Sequence, residues 1–232
     1  MRQEIWVIND SFSDCKGNGY YGMLSKAYEL ALTGSCSVAA VCIGHYDKKD
    51  LDVLFSYGAD RVLYYEYNGQ STSDFCRIIE QMIYQHKPKM LMFPYSDLGK
   101  GAATAVSVEF EAGLTAECID IEMVNHKFIY KRAAVNSSAI AQIQCTNCEI
   151  EICTVKKTVF SPHKLEYKKN GNLEIIELPD LHLQYNDSIQ ILIAKKKQMK
   201  KFKQSKVIFS FGRGIGNKDN LELLYKIANI LV

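Results

Sequence analysis

The sequence lacks the segments that insert proteins into membranes or direct them out of the cell. No apolar run among its 232 residues reaches membrane-spanning length. The first ten residues, MRQEIWVIND, have neither the apolar core nor the small-residue cleavage site of a secretory signal. Eight cysteines are scattered along the chain, which favours reduced thiols over a disulfide framework. We therefore expect a cytoplasmic protein without membrane insertion.

The residue patterns of common hydrolases and metalloenzymes are also missing. The five histidines stand alone, and the sequence contains neither a GxSxG elbow nor an HExxH pair. Cys145, Cys148 and Cys153 are closely spaced, but no histidine or acidic residue at a matching spacing completes a four-ligand site. We interpret them as incidental thiols, the first two flanking a hairpin turn at Thr146-Asn147. The sequence predicts no catalytic residue and no metal site.

A strong excess of charge of one sign is absent as well. The net charge is only +2, and seven of the 28 basic residues are lysines between Lys195 and Lys206, where no acidic residue occurs. The rest of the chain is therefore slightly acidic, which argues against a nucleic-acid groove. We interpret residues 195–205 as a solvated, lysine-rich linker; contact with anionic lipid or an acidic partner is the alternative.

The amino-terminal half alternates between apolar strands and amphipathic helices. This alternation predicts an α/β fold with an open, doubly wound, mostly parallel sheet and helices on both faces. The predicted strands are Ile5 to Asn9, Ser37 to Gly44, Arg61 to Tyr65 and Met90 to Pro94.

After Glu122 the pattern changes to short alternating segments. They suggest antiparallel strands appended to the parallel sheet, after which Ile189 to Ala194 returns to the same domain. The segments are Phe128 to Ala133, Ala139 to Gln144, Glu149 to Thr154 and Leu173 to Leu178. We predict a first domain over residues 1–194.

Residues 206–232 form one further strand and helix, joined by the turn Gly212-Arg213-Gly214. Glycines after a parallel strand let a phosphate approach the backbone, and Arg213 adds a fixed cation for a pyrophosphate or a flavin ring edge. The helix that follows is apolar around most of its circumference and needs covering. One strand and one helix do not make a domain, so we interpret 206–232 as the incomplete start of a second α/β domain.

Two other glycine-containing stretches resemble nucleotide loops. Residues 17–22 match GxGxxG, but seven residues separate them from the preceding strand, so we interpret them as a flexible loop. The loop Ser96 to Gly101 lies between a predicted strand and a helix, where Lys100 could hold an anion. A plain glycine turn is the simpler interpretation of that loop, and an adenine-nucleotide-binding module using it is the alternative function.

An ordered set of stretches along the chain resembles the electron transfer flavoprotein alpha subunits, including their FixB-like branch. The stretches are VCIG, GADRVLYY, KPKMLMFPYSDLGKGAATAVSVEFEAGLTAECIDIE, FIYKRAAVNSSAIAQI with the following TVKKTVF, and KVIFSFGRGIGNKDNLELLYKIANIL.

The resemblance implies an electron carrier rather than an enzyme. It implies a first domain of the nucleotide-binding-like, adenine nucleotide alpha hydrolase-like kind, and a second domain that binds FAD. Arg213 corresponds to an arginine that contacts FAD in that family, with Gly212 and Gly214 beside it, while the family's other FAD contacts lie further along. The resemblance also implies a heterodimer with a beta subunit that holds AMP, and an acyl-CoA or other dehydrogenase as redox partner. A scaffold that assembles only with a partner is a third possibility.

Overall fold

The structure is a computed structural model that describes residues 3–11, 17–134, 138–156, 158–179, 181, 183, 210, 212–217 and 220–231. The chain divides into two compact units, residues 1–186 and 187–232. The helices and strands described in the first unit are, in chain order, β1 (Glu4–Ile8), α1 (Asn18–Gly34), β2 (Ser37–Gly44), α2 (Lys48–Leu54), β3 (Arg61–Glu66), α3 (Thr72–His86), β4 (Met90–Pro94), α4 (Asp97–Glu109), β5 (Gly113–Val124), β6 (Lys127–Ala134), β7 (Ala139–Ile143), β8 (Glu151–Val155) and β9 (Asn172–Ile175).

These strands form one sheet in the order β7-β6-β5-β8-β4-β1-β2-β3-β9. The seven strands from β5 to β9 in this order are parallel, whereas β6 and β7 continue the sheet in antiparallel pairing. The predicted α/β class with a mostly parallel sheet is therefore confirmed.

Helices cover both faces of the sheet, because successive side chains of a buried strand point to opposite sides. In β1, Ile5 and Val7 join the apolar cluster under α1 and α2. Trp6 and Ile8 join the second cluster, under α3 and α4. All five residues of β1 are buried, as expected for a strand in the interior of a parallel sheet.

Two of the four segments expected to be antiparallel are parallel. The prediction holds for β6 and β7 but is wrong for β8, which lies between β4 and β5 and pairs with both in parallel. All five side chains of β8 are buried, so this strand gains more apolar burial inside the sheet than it would at the edge. The predicted hairpin at Thr146-Asn147 is absent, because β7 pairs with β6 rather than with β8.

The other misassigned segment is β9, which pairs in parallel with β3. Arg61 of β3 helps to hold this edge strand. Its guanidinium donates to Glu174 of β9 at 2.8 Å and to Glu4 of β1 at 3.2 Å. Charge pairing thus supports a strand of only four residues.

The GxGxxG stretch is not a loop, because α1 begins at Asn18 and contains Gly19 and Gly22. The hydroxyl of the buried Tyr20 donates to the carbonyl oxygen of Val7 at 3.2 Å, which fixes the first helical turn against β1. An added Cβ on Gly22 would overlap with the carbonyl oxygen of Phe160. Glycine here allows close packing of the chain near Phe160.

In the second unit the structure describes residue 210, residues 212–217 and residues 220–231. These contain one 3₁₀ turn, Arg213–Ile215, and the helix α5, Leu221–Leu231. Apart from residue 210, the strand predicted at the start of residues 206–232 lies outside the described residues, and so do the linker 195–205 and Ile189 to Ala194. No helix in the described part of the chain is long and apolar enough to cross a bilayer.

Candidate functional site

The turn at Gly212-Arg213-Gly214, the sequence-predicted site, is compact and exposed. The amide of Ile215 donates to the carbonyl oxygen of Gly212 at 3.1 Å, and the amide of Gly216 donates to that of Arg213 at 3.1 Å. These two bonds close the 3₁₀ turn, while Gly212, Arg213 and Gly214 all remain exposed. The guanidinium and the neighbouring backbone are thus open to a ligand or to another part of the protein.

Internal packing does not explain the first two glycines of this turn. Among the described residues, an added Cβ on Gly212 or Gly214 would meet no atom within 4 Å, and Gly212 has an ordinary φ of −127°. Gly216 differs, because its φ of 73° lies in the left-handed region that favours glycine. Bare backbone beside a guanidinium suits the close approach of an anionic group, so the residues present fit a phosphate or a flavin edge.

The helix α5 that follows the turn has large exposed apolar side chains. The exposed fractions are 64% for Leu223, 68% for Tyr225 and 81% for Ile230. A helix apolar on this much of its surface is normally covered by other protein. The prediction that this helix needs a covering layer agrees with its exposure.

The other sequence-predicted loop, Ser96 to Gly101, uses its own groups to cap α4. The Ser96 hydroxyl accepts a hydrogen bond from the amide of Gly99 at 2.9 Å, and the Ser96 carbonyl accepts from the amide of Lys100 at 2.8 Å. The Lys100 ammonium pairs with Asp97 at 3.0 Å, and this pairing raises the pKa of Lys100. Ser96 and the acidic Asp97 therefore already provide the hydrogen-bond acceptors and the negative charge that a bound anion would bring to this helix start.

A polar network that sequence reasoning missed lies beside this loop. The Tyr95 hydroxyl donates to Glu117 at 2.7 Å, and Lys156 pairs with the other oxygen of Glu117 at 2.9 Å. The hydrogen bond from Tyr95, followed by that from Lys156, lowers the pKa of Glu117. Glu117 has a left-handed φ of 58° and lies where the register of β5 shifts. No sequence pattern indicates that bulge, which brings the three residues together.

The first unit has the fold of a doubly wound α/β protein, and the exposed glycine–arginine turn follows it in the chain. The chain belongs to the electron transfer flavoprotein domain family, whose family model, "Electron transfer flavoprotein domain", matches residues 21–181. The resemblance seen in the sequence is thereby confirmed.

Individual relatives carry consistent names. The chain is 27% identical to the electron transfer flavoprotein subunit alpha of Clostridium acetobutylicum, over 98% of this chain and 70% of that protein. It is 26% identical to the lactate dehydrogenase (NAD(+),ferredoxin) subunit LctC of Acetobacterium woodii, over 90% of this chain and 50% of that protein. It is 23% identical to the protein FixB of Azorhizobium caulinodans, over 99% of this chain and 64% of that protein. The chain thus matches between 50% and 70% of the length of these relatives.

Proposed function

We propose that this chain acts as the alpha subunit of an electron transfer flavoprotein, an electron carrier rather than an enzyme. The observation that carries the proposal is the family match over residues 21–181, followed in the chain by an exposed glycine–arginine turn. In the assembled protein, electrons pass from an acyl-CoA or other dehydrogenase to an acceptor. The names of the relatives, which include an electron transfer flavoprotein subunit alpha and a subunit of a lactate dehydrogenase (NAD(+),ferredoxin), support this role.

The cofactor we propose is FAD, bound by the domain that contains Gly212, Arg213 and Gly214. FAD, when bound, supplies reversible storage of one or two electrons. Arg213 would hold a positive charge beside the cofactor, and such a charge favours a reduced, anionic form and raises the reduction potential. The exposed backbone of the two glycines would allow the close approach that a side chain prevents. We further propose that these 232 residues contain only part of the FAD site, because the relatives are longer than the parts matched here.

The partner we propose is an electron transfer flavoprotein beta subunit, with AMP bound in that subunit. The apolar surface of α5 supports assembly, since Tyr225 and Ile230 are more than two thirds exposed. We propose that further residues of the flavin domain or the beta subunit cover this helix. All seven described cysteines are free, which favours a reducing compartment such as the cytoplasm.

Titration with FAD tests the role of Arg213. Flavin fluorescence anisotropy is measured for the chain alone and with a beta subunit of the family. We expect weak binding that is lost on desalting. Arg213→Ala should weaken the binding further by roughly tenfold or more, because a hydrogen bond to a charged group contributes about 1.5–3 kcal/mol.

Lys226→Ala is the matched control, because it removes an exposed cation from α5 rather than from the turn. Its affinity for FAD should equal that of the unmodified chain. Equal affinities for Arg213→Ala and Lys226→Ala would refute the assignment of Arg213. Stoichiometric FAD that survives desalting would refute the proposal that the site is shared with residues beyond these 232.

The geometry does not favour the adenine-nucleotide alternative at Ser96 to Gly101. The amides of Gly99 and Lys100 are already bonded to Ser96, and the Lys100 ammonium is paired with Asp97. A nucleotide phosphate would have to displace these contacts.

A further inference from the structure

Cys145 and Cys148, called the thiol pair below, converge on one point in the first unit. They lie in the segment that joins β7 to β8, and both sulfur atoms face Gly113 at the start of β5. An ideal Cβ on Gly113 would lie 2.5 Å from the Cys145 sulfur and 3.3 Å from the Cys148 sulfur. The two sulfurs are therefore no farther apart than the sum of those distances. The neighbouring Cys148 also raises the pKa of Cys145. Only a residue without a side chain at position 113 leaves room for both.

The backbone of this segment is held in place around the pair. Asn147 has a left-handed φ of 64°, which turns the chain between the two cysteines. The Lys89 ammonium donates to the carbonyl oxygens of Cys148 at 3.2 Å and Glu149 at 3.1 Å. A fixed turn keeps the two sulfurs close without a covalent link, which lowers the entropic cost of forming one.

Exposure distinguishes the thiol pair from the other described cysteines. Cys145 and Cys148 are partly exposed, whereas the other five described cysteines are buried. Cys118 likewise raises the pKa of Cys153, but both side chains are fully buried on the neighbouring strands β5 and β8. The described cysteines thus include one neighbouring pair that a dissolved reagent can reach and one that it cannot.

We propose that Cys145 and Cys148 are a reversible disulfide site, oxidised by exchange with a low-molecular-weight disulfide. In the first step the thiolate of one cysteine attacks the small disulfide, forms a mixed disulfide and releases one small thiolate. In the second step the other thiolate attacks the protein sulfur of that mixed disulfide and releases the second small thiolate. The protein loses two protons and two electrons, and the small disulfide is reduced to two thiols.

The surroundings of Cys145 affect its reactivity. Burial, then the charge of Glu151, then the neighbouring Cys148 raise the pKa of Cys145 to about 12. The thiolate is the attacking form, so this raised pKa slows attack by Cys145. Excess small thiol reverses both steps.

Mass spectrometry of the folded chain tests the proposal. The chain is incubated with oxidised mercaptoethanol, the remaining thiols are alkylated without unfolding, and the protein is digested. We expect the peptide that contains both cysteines to lose two hydrogens and to regain them on reduction. Cys118 and Cys153 should react with the alkylating reagent only after unfolding, as two free thiols.

Two variants sharpen the result. Cys145→Ser should stop the reaction at a mixed disulfide on Cys148, while the matched control Cys118→Ala should form the disulfide at the unmodified rate. A mixed disulfide that persists in the unmodified chain, or no reaction at either cysteine, would overturn the proposal. Oxidation of Cys118 and Cys153 at the same rate would also overturn it, because access would then not distinguish the pairs. The result for the unmodified chain tests the proposed disulfide even if a variant fails to fold.

Discussion

Replacing Gly99 by alanine is the sharpest test of how the structure explains the Ser96 to Gly101 loop. An added Cβ on Gly99 would overlap with the carbonyl oxygen of Pro94 and lie 3.1 Å from its carbonyl carbon. Both are backbone atoms at the end of β4, so neither can move without shifting the strand. The new methyl group would also lie 3.2 Å from the Ser96 hydroxyl that caps α4.

The magnitude follows from three contributions. Overpacking of this kind costs about 1–3 kcal/mol. Weakening the cap adds about 1 kcal/mol, and the helix preference of alanine over glycine returns about 0.5–1 kcal/mol. We expect a net loss of about 1–3.5 kcal/mol in the free energy of unfolding. For a unit of this size, each kcal/mol lowers the Tm by about 2–4 °C.

Gly101→Ala is the matched control in the same helix. Its Cβ would lie 3.9 Å from Thr72, an ordinary contact, so alanine should stabilise the chain by about 0.5–1 kcal/mol. Urea titration followed by circular dichroism measures both variants. Equal stability of the two variants would show that packing against Pro94 is not the reason for glycine at position 99.

Two further predictions concern ionisable groups. Burial is the main reason that the pKa of His86 is lowered from 6.5, so below about pH 6.5 the unfolded chain binds the proton more readily and stability falls. In urea titrations at about pH 7.5 and 5.5, His86→Gln should therefore lose less stability in acid than the unmodified chain. Equal acid sensitivity of the variant and the unmodified chain would contradict this. Tyr95→Phe should raise the pKa of Glu117, because the tyrosine hydroxyl is the largest cause of its lowering. Carboxyl carbon NMR titration measures this shift, with Tyr84→Phe as a distant control, and an unchanged pKa would contradict the network.

Local sequence patterns predicted where strands occur better than which strands pair with each other. The run Ser37 to Gly44 is apolar throughout and forms β2, buried at seven of its eight positions. Residues 149–154 were assigned to an antiparallel strand because they are short and follow a turn signal. The run Ile152 to Val155 is instead continuously buried and lies between β4 and β5. Periodicity indicates which faces of a strand are buried. It does not indicate which strand, far along the chain, pairs with it, because that depends on the packing of the whole sheet.

The candidate site was predictable to a similar extent. The glycine–arginine turn was found from sequence because glycines beside an arginine form a recognisable pattern, and its assignment to a flavin stays a prediction. The network of Tyr95, Glu117 and Lys156 was not found, because it depends on a bulge and on three separate elements. The sequence predicts that Cys145 and Cys148 are incidental thiols that flank a hairpin turn. The hairpin is wrong, since a non-hairpin turn beside Gly113 brings the two thiols together.

The most direct test of the central claim is the mass of the complex that this chain forms with an electron transfer flavoprotein beta subunit. The two are produced together and analysed by size-exclusion chromatography with light scattering. An alpha-type subunit should elute with the beta subunit as a one-to-one heterodimer, and Ile230→Glu, on the exposed face of α5, should weaken that complex if the partner covers the helix. A chain that elutes alone as a stable monomer in the presence of the beta subunit would contradict the account.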